Sequence, residues 1–185
     1  MPFRRIISKF MKRIGLLSDT HGFVPHQVLD FFKDVDEIWH AGDIGDLGLA
    51  DQLAAFKPLR AVSGNIDGHE TRITWPNNQR FMCEEVDVWI THIGGYPGNY
   101  DKSVRAEIVA HPPKLFISGH SHILKVIYDK KLDLLHLNPG AAGYKGFHKL
   151  ATAMRFTIDG HDIRDMEIWQ AERSELVPGK TIDDK

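Results

Sequence analysis

The chain has 185 residues, 42% of them hydrophobic and 26% charged, and its formal net charge at pH 7 is −2. Such a chain suits one globular domain with a sizeable core, and it lacks the bulk basic field that recruits long nucleic acid or an anionic membrane. The lone cysteine, Cys83, excludes an intrachain disulfide and fits a reducing, cytoplasmic setting; no apolar stretch approaches the ~20 residues of a membrane span, while histidine is abundant at 11.

Residues 1–12 are basic, with Ile6-Ile7 and Phe10-Met11 as their apolar pairs. That falls short of the roughly 7–15 apolar residues of a signal core, so the segment reads as a flexible extension. Residues 13–18 (RIGLLS) form a short apolar run that stops at Asp19, the pattern of a buried strand feeding a loop. Pro25 suits the first turn of a helix, and Val28, Leu29, Phe32 and Val35 follow at helical spacing. Residues 37–41 predict a second strand ending at Gly42-Asp43, residues 47–56 a helix, and residues 59–63 a third strand ending at Gly64-Asn65. Strand–helix–strand alternation of this kind predicts parallel strands under covering helices.

The second half differs. Residues 80–83 and 86–91 predict a hairpin around Glu84-Glu85, residues 101–110 a helix, and residues 115–118 a strand ending at Gly119. Closely spaced runs at 124–128, 132–137, 151–158 and 163–169, the last two joined by Asp159-Gly160, point to antiparallel pairing. Residues 13–170 thus form a single domain of two sheets with helices outside, and the polar segment 171–185, containing Pro178-Gly179, reads as a tail.

A polar motif follows a strand at least five times: Asp19-Thr20-His21, Gly42-Asp43, Gly64-Asn65, Thr91-His92 and Gly119-His120-Ser121-His122. In open α/β sheets the loops at strand carboxyl ends collect ligands, so these motifs converge on one rim. Asp19 and His21, two apart on an extended segment, face one side, as do His120 and His122. Glycine before Asp43, Asn65 and His120 permits sharp turns. The seven side chains Asp19, His21, Asp43, Asn65, His92, His120 and His122 make a mixed carboxylate, amide and imidazole set large enough for two divalent ions. Such pairs, about 3.5–4 Å apart, clamp the attacking and leaving oxygens of a phosphoester. The donor types suit Mn, the expected ion, with Fe, Ni, Co, Zn or Mg as alternatives, better than calcium. Among the remaining histidines, His40, His136 and His148 read as core or supporting groups and His26, His111 and His161 as surface residues; Trp39, Trp89 and Trp169 read as core aromatics.

This order of motifs resembles the calcineurin-like metallophosphoesterase superfamily. Within it, the nearest likeness is the small YfcE-type phosphodiesterase branch with its Vps29-like fold, over residues 13–169. The resemblance implies an α/β architecture, a four-layer αββα sandwich of two mixed β-sheets flanked by helices. It implies that Asp19, His21 and His122 hold one ion, that Asn65, His92 and His120 hold the other, and that Asp43 bridges both together with a hydroxide. It further implies hydrolysis of phosphodiesters or activated monoesters by that hydroxide, with Asp43, Asn65 and His92 as the catalytic side chains. The partner is then a small phosphoester rather than long nucleic acid or a membrane, with a homo-oligomer left open. Many superfamily members carry a histidine directly after the asparagine; here that place is Ile66, which removes the expected general acid and leaves His69 as a candidate substitute. Two rival readings stand beside this one: a non-catalytic Vps29-like interaction module on the same fold, and a nucleotide-phosphate hydrolase.

Overall fold

Period-two alternation of apolar side chains sorts the chain into two sheets. The computed structural model describes residues 11–176; the basic segment 1–10 and the polar segment 177–185 lie outside them. In chain order the elements begin with β1 (Met11–Leu17), α1 (His26–Phe31), β2 (Glu37–His40), α2 (Leu47–Phe56), β3 (Leu59–Ala61) and α3 (His69–Thr74). They continue with β4 (Asn78–Cys83), β5 (Val86–Thr91), β6 (Gly95–Tyr96), β7 (Asn99–Tyr100), α4 (Lys102–Ala110) and β8 (Leu115–Ile117). Four strands close the fold: β9 (Leu124–Asp129), β10 (Leu134–Pro139), β11 (Leu150–Asp159) and β12 (Asp162–Glu172).

One sheet has the order β12-β11-β1-β2-β3 and the other β4-β5-β8-β10-β9, with β6 and β7 a separate small hairpin. Both sheets are mixed. The neighbours β1, β2 and β3 run parallel, as do β5, β8 and β10, while the outer partners β11, β12, β4 and β9 pair antiparallel. The outer antiparallel strands come from hairpins added to the edges of parallel centres.

Alternate residues of each strand enter different layers. Ile14, Leu16, Trp39, Val88, Ile90, Ile117, Leu137 and Phe156 fill the space between the sheets. Leu17 and Ile38 face outward beneath α1 and α2, where they meet Val28, Phe32, Leu49 and Leu53. Trp89 and Phe116 face outward on the other side, beneath Val104 and Ile108 of α4. The result is the four-layer sandwich expected from the sequence. Phe116 is fully buried against Trp89, Tyr100 and His136, and truncating it to alanine removes about 3–5 kcal/mol. Asp46 caps α2, its carboxylate accepting from the Leu49 amide at 2.9 Å, and Asp101 caps α4 through the Ser103 amide at 2.8 Å.

The boundaries move at both ends. β1 begins at Met11, whose backbone is opposite Asp159, so the first strand starts ahead of residue 13. At the far end, residues 171–176 are not a tail: Glu172 pairs with Leu150, and Arg173 and Leu176 are buried. Among the described residues, no helix is long and apolar enough to cross a membrane.

Candidate metal centre

Five of the seven candidate ligands follow directly on β1, β2, β3, β5 or β8, and the parallel centres of both sheets bring those loops to one rim. Two groups of ligand atoms assemble there, Asp19 with His21 and His122, and Asp43 with His92 and His120; within each, the atoms lie within 4.8 Å of one another. Asn65 joins the second group, its Oδ1 lying 3.0 Å from His92 Nε2. The two groups touch: His92 Nε2 is 3.3 Å from Asp43 Oδ2 and 3.9 Å from Asp19 Oδ1. All seven candidate ligands are therefore brought together. His120 and Asn65 are exposed, His21 and His122 are half-buried, and Asp19, Asp43 and His92 are buried.

The local backbone corrects the sequence reading. Asp19, His21, Asp43, His120 and His122 have φ of 53°, 50°, 55°, 67° and 57°, so the Asp19–His21 and His120–His122 pairs lie in left-handed turns rather than on extended segments. His120 and His122 accordingly diverge into different groups. The preceding glycines also work differently from one another. Gly42 has φ of 95° and needs its freedom. Gly64 and Gly119 are required by space: a Cβ at Gly64 would overlap Asp43 Oδ1 and its backbone nitrogen, and one at Gly119 would overlap Ser18 Oγ.

The hydrogen bonds test whether a cation fits. His92 Nδ1 lies 2.8 Å from the Ala41 carbonyl oxygen, which can only accept, so this nitrogen carries a proton. Neutral His92 then turns the lone pair of Nε2 toward three oxygens, those of Asn65, Asp43 and Asp19. A cation among them, or a second proton on the ring, resolves that arrangement. Burial disfavours the imidazolium, but the hydrogen bond to Asp43 and the charge of Asp19 outweigh it and raise the His92 pKa. In the other group, His21 Nε2 and His122 Nε2 face each other at 3.4 Å. Asp19 Oδ1 is buried and accepts no hydrogen bond, although His122 Nε2 is 3.1 Å away. Donor atoms this close, with a buried carboxylate oxygen left unsatisfied, are what a divalent ion would organise.

Supporting residues hold these loops. Asp19 Oδ2 accepts from Ser18 Oγ at 2.6 Å and from the His120 amide at 3.1 Å, joining the two sheets through one carboxylate. Asp43 Oδ1 accepts from the Ile66 amide at 3.0 Å. Buried Asp67 accepts from the amides of Gly64, Gly45 and Ile44 at 2.7, 2.8 and 3.2 Å, tying the Asn65 loop to the Asp43 loop. Asn138 donates to the Gly119 carbonyl at 2.8 Å and its Oδ1 accepts from the Gly140 amide at 2.9 Å. His40 is fully buried; its Nδ1 accepts from the Gly42 amide at 3.1 Å and its Nε2 donates to Thr20 Oγ1 at 2.8 Å. Burial pushes its pKa down to about 4, as it does for His136.

Asp67 and Arg173 were not marked by the sequence. The signal for Asp67 was its place in a glycine-rich strand-end loop full of unpaired amides; Arg173 sits in a polar segment and gave none. His69 opens α3, exposed, in a shallow depression shared with Gly45, Asp46 and Leu47, separate from the recess at Asn65 and His92. His26, His111 and His161 are exposed as expected, each beside a carboxylate. His148 is exposed rather than a supporting group, and Trp169 is only partly buried.

Residues 11–161 match the calcineurin-like phosphoesterase superfamily domain. The chain belongs to this superfamily. It is 32% identical over 133 residues to a probable metallophosphoesterase of Methanothermobacter thermautotrophicus, covering 69% of this chain and 76% of that protein. It is 31% identical to a probable metallophosphoesterase of Methanocaldococcus jannaschii, covering 69% of this chain and 67% of that one. In fold it is similar to Vps29 of Cryptosporidium parvum, with a TM-score of 0.69 at 18% identity over 88% of this chain and 98% of that one. It is similar as well to a predicted phosphoesterase of Streptococcus pneumoniae, with a TM-score of 0.66 at 22% identity over 93% and 96%. Superfamily membership and the two ligand groups support a metal-dependent phosphoesterase.

Proposed function

We infer that this chain hydrolyses phosphodiesters, or phosphomonoesters with good leaving groups, at a pair of divalent ions. The observation that carries the reading is the contiguity of the two ligand groups through His92, Asp43 and Asp19. Asp19, His21 and His122 would hold one ion, Asn65, His92 and His120 the other, and Asp43 would be shared. When bound, the ions supply a nucleophile from water near neutral pH and neutralise charge on the phosphoryl oxygens; the mixed donor set suits Mn²⁺.

The chain's own residues supply the remaining work. A recess of about 420 Å³ opens beside Asn65 and His92, lined by Ser63, Arg72, Asn77, Trp89 and Thr91 among others. Arg72 donates to the Asn65 carbonyl at 2.7 Å, which holds a guanidinium charge next to the phosphoryl position. Asp67 fixes the loop that aims Asn65, so the amide is oriented before substrate arrives. Ile66, half-exposed and apolar, stands where a proton donor to the leaving group would stand. His69 faces another depression, and we assign it no catalytic role.

Without a general acid, worth ~10²–10⁴-fold, catalysis favours leaving groups that depart as anions. The test is turnover of aryl and alkyl phosphodiesters with Mn²⁺ as leaving-group pKa rises. Rates should fall steeply; a flat series down to alkyl leaving groups would refute the absent acid, and no turnover of any ester would refute the function. The non-catalytic reading expects eroded ligands, whereas this chain carries all seven candidate side chains. A cytoplasmic setting accords with Cys83, buried and with its thiol pushed up to about 11.

A further inference from the structure

A second recess, of about 410 Å³, opens on the far side of Ile93, which lines both. His120 reaches into it, so it adjoins the metal centre directly. Its wall is the small hairpin β6–β7 together with the start of α4 and the beginning of β9, and it gathers three cations, Lys102, Arg105 and Lys125. The single carboxylate in its lining, Asp101, is engaged by the amide and hydroxyl of Ser103 at 2.8 and 2.6 Å.

Asp101 keeps its charge and acts on Lys102 and Arg105, but the lining sets three cations against that one carboxylate. Arg105 donates from Nη2 to the Tyr100 carbonyl at 2.9 Å, which fixes its plane without cancelling its charge. Lys125 Nζ stands 3.9 Å above the ring of Tyr96, a contact that orients an ammonium and leaves its protons available. Among the described residues, none of the three is within ion-pair distance of a carboxylate. By contrast, Arg13, Arg60, Arg80, Arg155 and Arg164 are each paired with an acid at 3.1 Å or less, while Arg72 and Arg173 serve backbone carbonyls. Three cations against one carboxylate in the lining of a cavity of ligand size, on a chain of net charge −2, are a complement for an anion.

We propose that this recess binds a second phosphate group of the substrate, one that is not hydrolysed, so that the preferred substrates are phosphodiesters carrying a further phosphate. The proposal rests on the phosphoesterase reading above and narrows it. A phosphoryl group at the metal centre would leave one substituent toward Trp89 and Asn77 and the other toward Lys102 and Lys125.

The test compares two substrates of the Mn²⁺-loaded, full-length enzyme: thymidine 3′-(p-nitrophenyl phosphate), with and without a 5′-phosphate. The ratio of their kcat/KM values within one protein cancels differences in active fraction. In the unaltered enzyme the 5′-phosphate should raise kcat/KM by about tenfold or more, the scale of one charge-assisted hydrogen bond. In Lys102→Gln/Lys125→Gln the ratio should fall to near unity. Equal kcat/KM values in the unaltered enzyme, or an advantage that survives the double substitution, would overturn the proposal. If neither compound nor any ester of the leaving-group series is hydrolysed, the phosphoesterase reading fails; if only these two are not, that reading stands, and in either case the recess is judged by binding alone. Calorimetric titration with thymidine 3′,5′-bisphosphate and with thymidine 3′-monophosphate then decides it. Tighter binding of the bisphosphate, lost in the double variant, supports the recess; equal binding in the unaltered protein overturns it.

Discussion

Replacing Arg173 by methionine should loosen the loop beside the first ligand group. The guanidinium is buried and donates to the carbonyls of His148, Lys145 and Leu150 at 2.9, 3.0 and 2.9 Å, to that of Gly143, and at 3.5 Å to that of Ala141. Lys145, His148 and Leu150 are exposed residues whose carbonyls can turn to water, but Ala141 and Gly143 are buried. Ala141 keeps the Thr152 amide at 3.0 Å, so the Gly143 carbonyl alone is left without a donor, which sets the loss at about 1–3 kcal/mol. Arg173→Lys should recover only part of it, because one ammonium cannot span the same carbonyls as a planar fork. Gly146 lies against both His122 and Arg173, so the slackened loop also frees His122, and metal affinity at Asp19, His21 and His122 should fall. Urea unfolding of the metal-free protein measures the stability term, and titration with Mn²⁺ measures the affinity. A change in unfolding free energy below about 0.5 kcal/mol, the range of ordinary surface substitutions, would refute the clamp.

Other outcomes follow from the same geometry. Gly64→Ala places a methyl group on the Asp43 carboxylate; it should abolish two-metal binding while far-ultraviolet circular dichroism stays native, and unchanged metal stoichiometry would contradict the packing argument. Asp43→Ala should lose both ions by elemental analysis, since its carboxylate is the one assigned to both. Neutral His40 makes stability depend on pH in a definite direction. Its folded pKa of about 4 lies below the usual 6.5, so the unfolded chain binds the extra proton; the contribution is complete above pH 6.5 and is lost as pH falls toward 4. The full shift corresponds to ~3 kcal/mol, and His40→Gln should flatten that stretch of the stability–pH curve. Adding Mn²⁺ at a hundredfold excess over its dissociation constant should stabilise the folded chain by about 2.7 kcal/mol per independent site, read as a rise in Tm.

Residues that obey a simple periodicity were legible from the sequence. Residues 86–91 were read as one strand of a hairpin with Trp89 a core aromatic, and the structure makes them β5, with Val88 and Ile90 packed between the sheets and Trp89 buried beneath α4. Helix α2 occupies the span read from Leu49, Leu53 and Phe56. The candidate ligands were legible because a polar residue ending an apolar run is visible without coordinates. What escaped has physical reasons. Helix α3 buries only Thr71 and so shows no apolar stripe. Strands β6 and β7 have two residues each, too short for any period. The left-handed turns at Asp19 and His21 escaped because neither residue announces that conformation as glycine does. Arg173 escaped because a buried arginine that serves carbonyls looks, in sequence, like any surface cation.

Those left-handed turns bear on how the protein could change. A non-glycine side chain in that conformation costs roughly 1–2 kcal/mol, and five of the seven rim positions carry it. Glycine at any one of them would relax the chain while deleting a donor. If these side chains hold the ions as proposed, heat resistance and catalysis pull in opposite directions at the same residues: a population of variants screened for thermal survival alone, without metal or ester present, would shed these rim side chains before it touched the core.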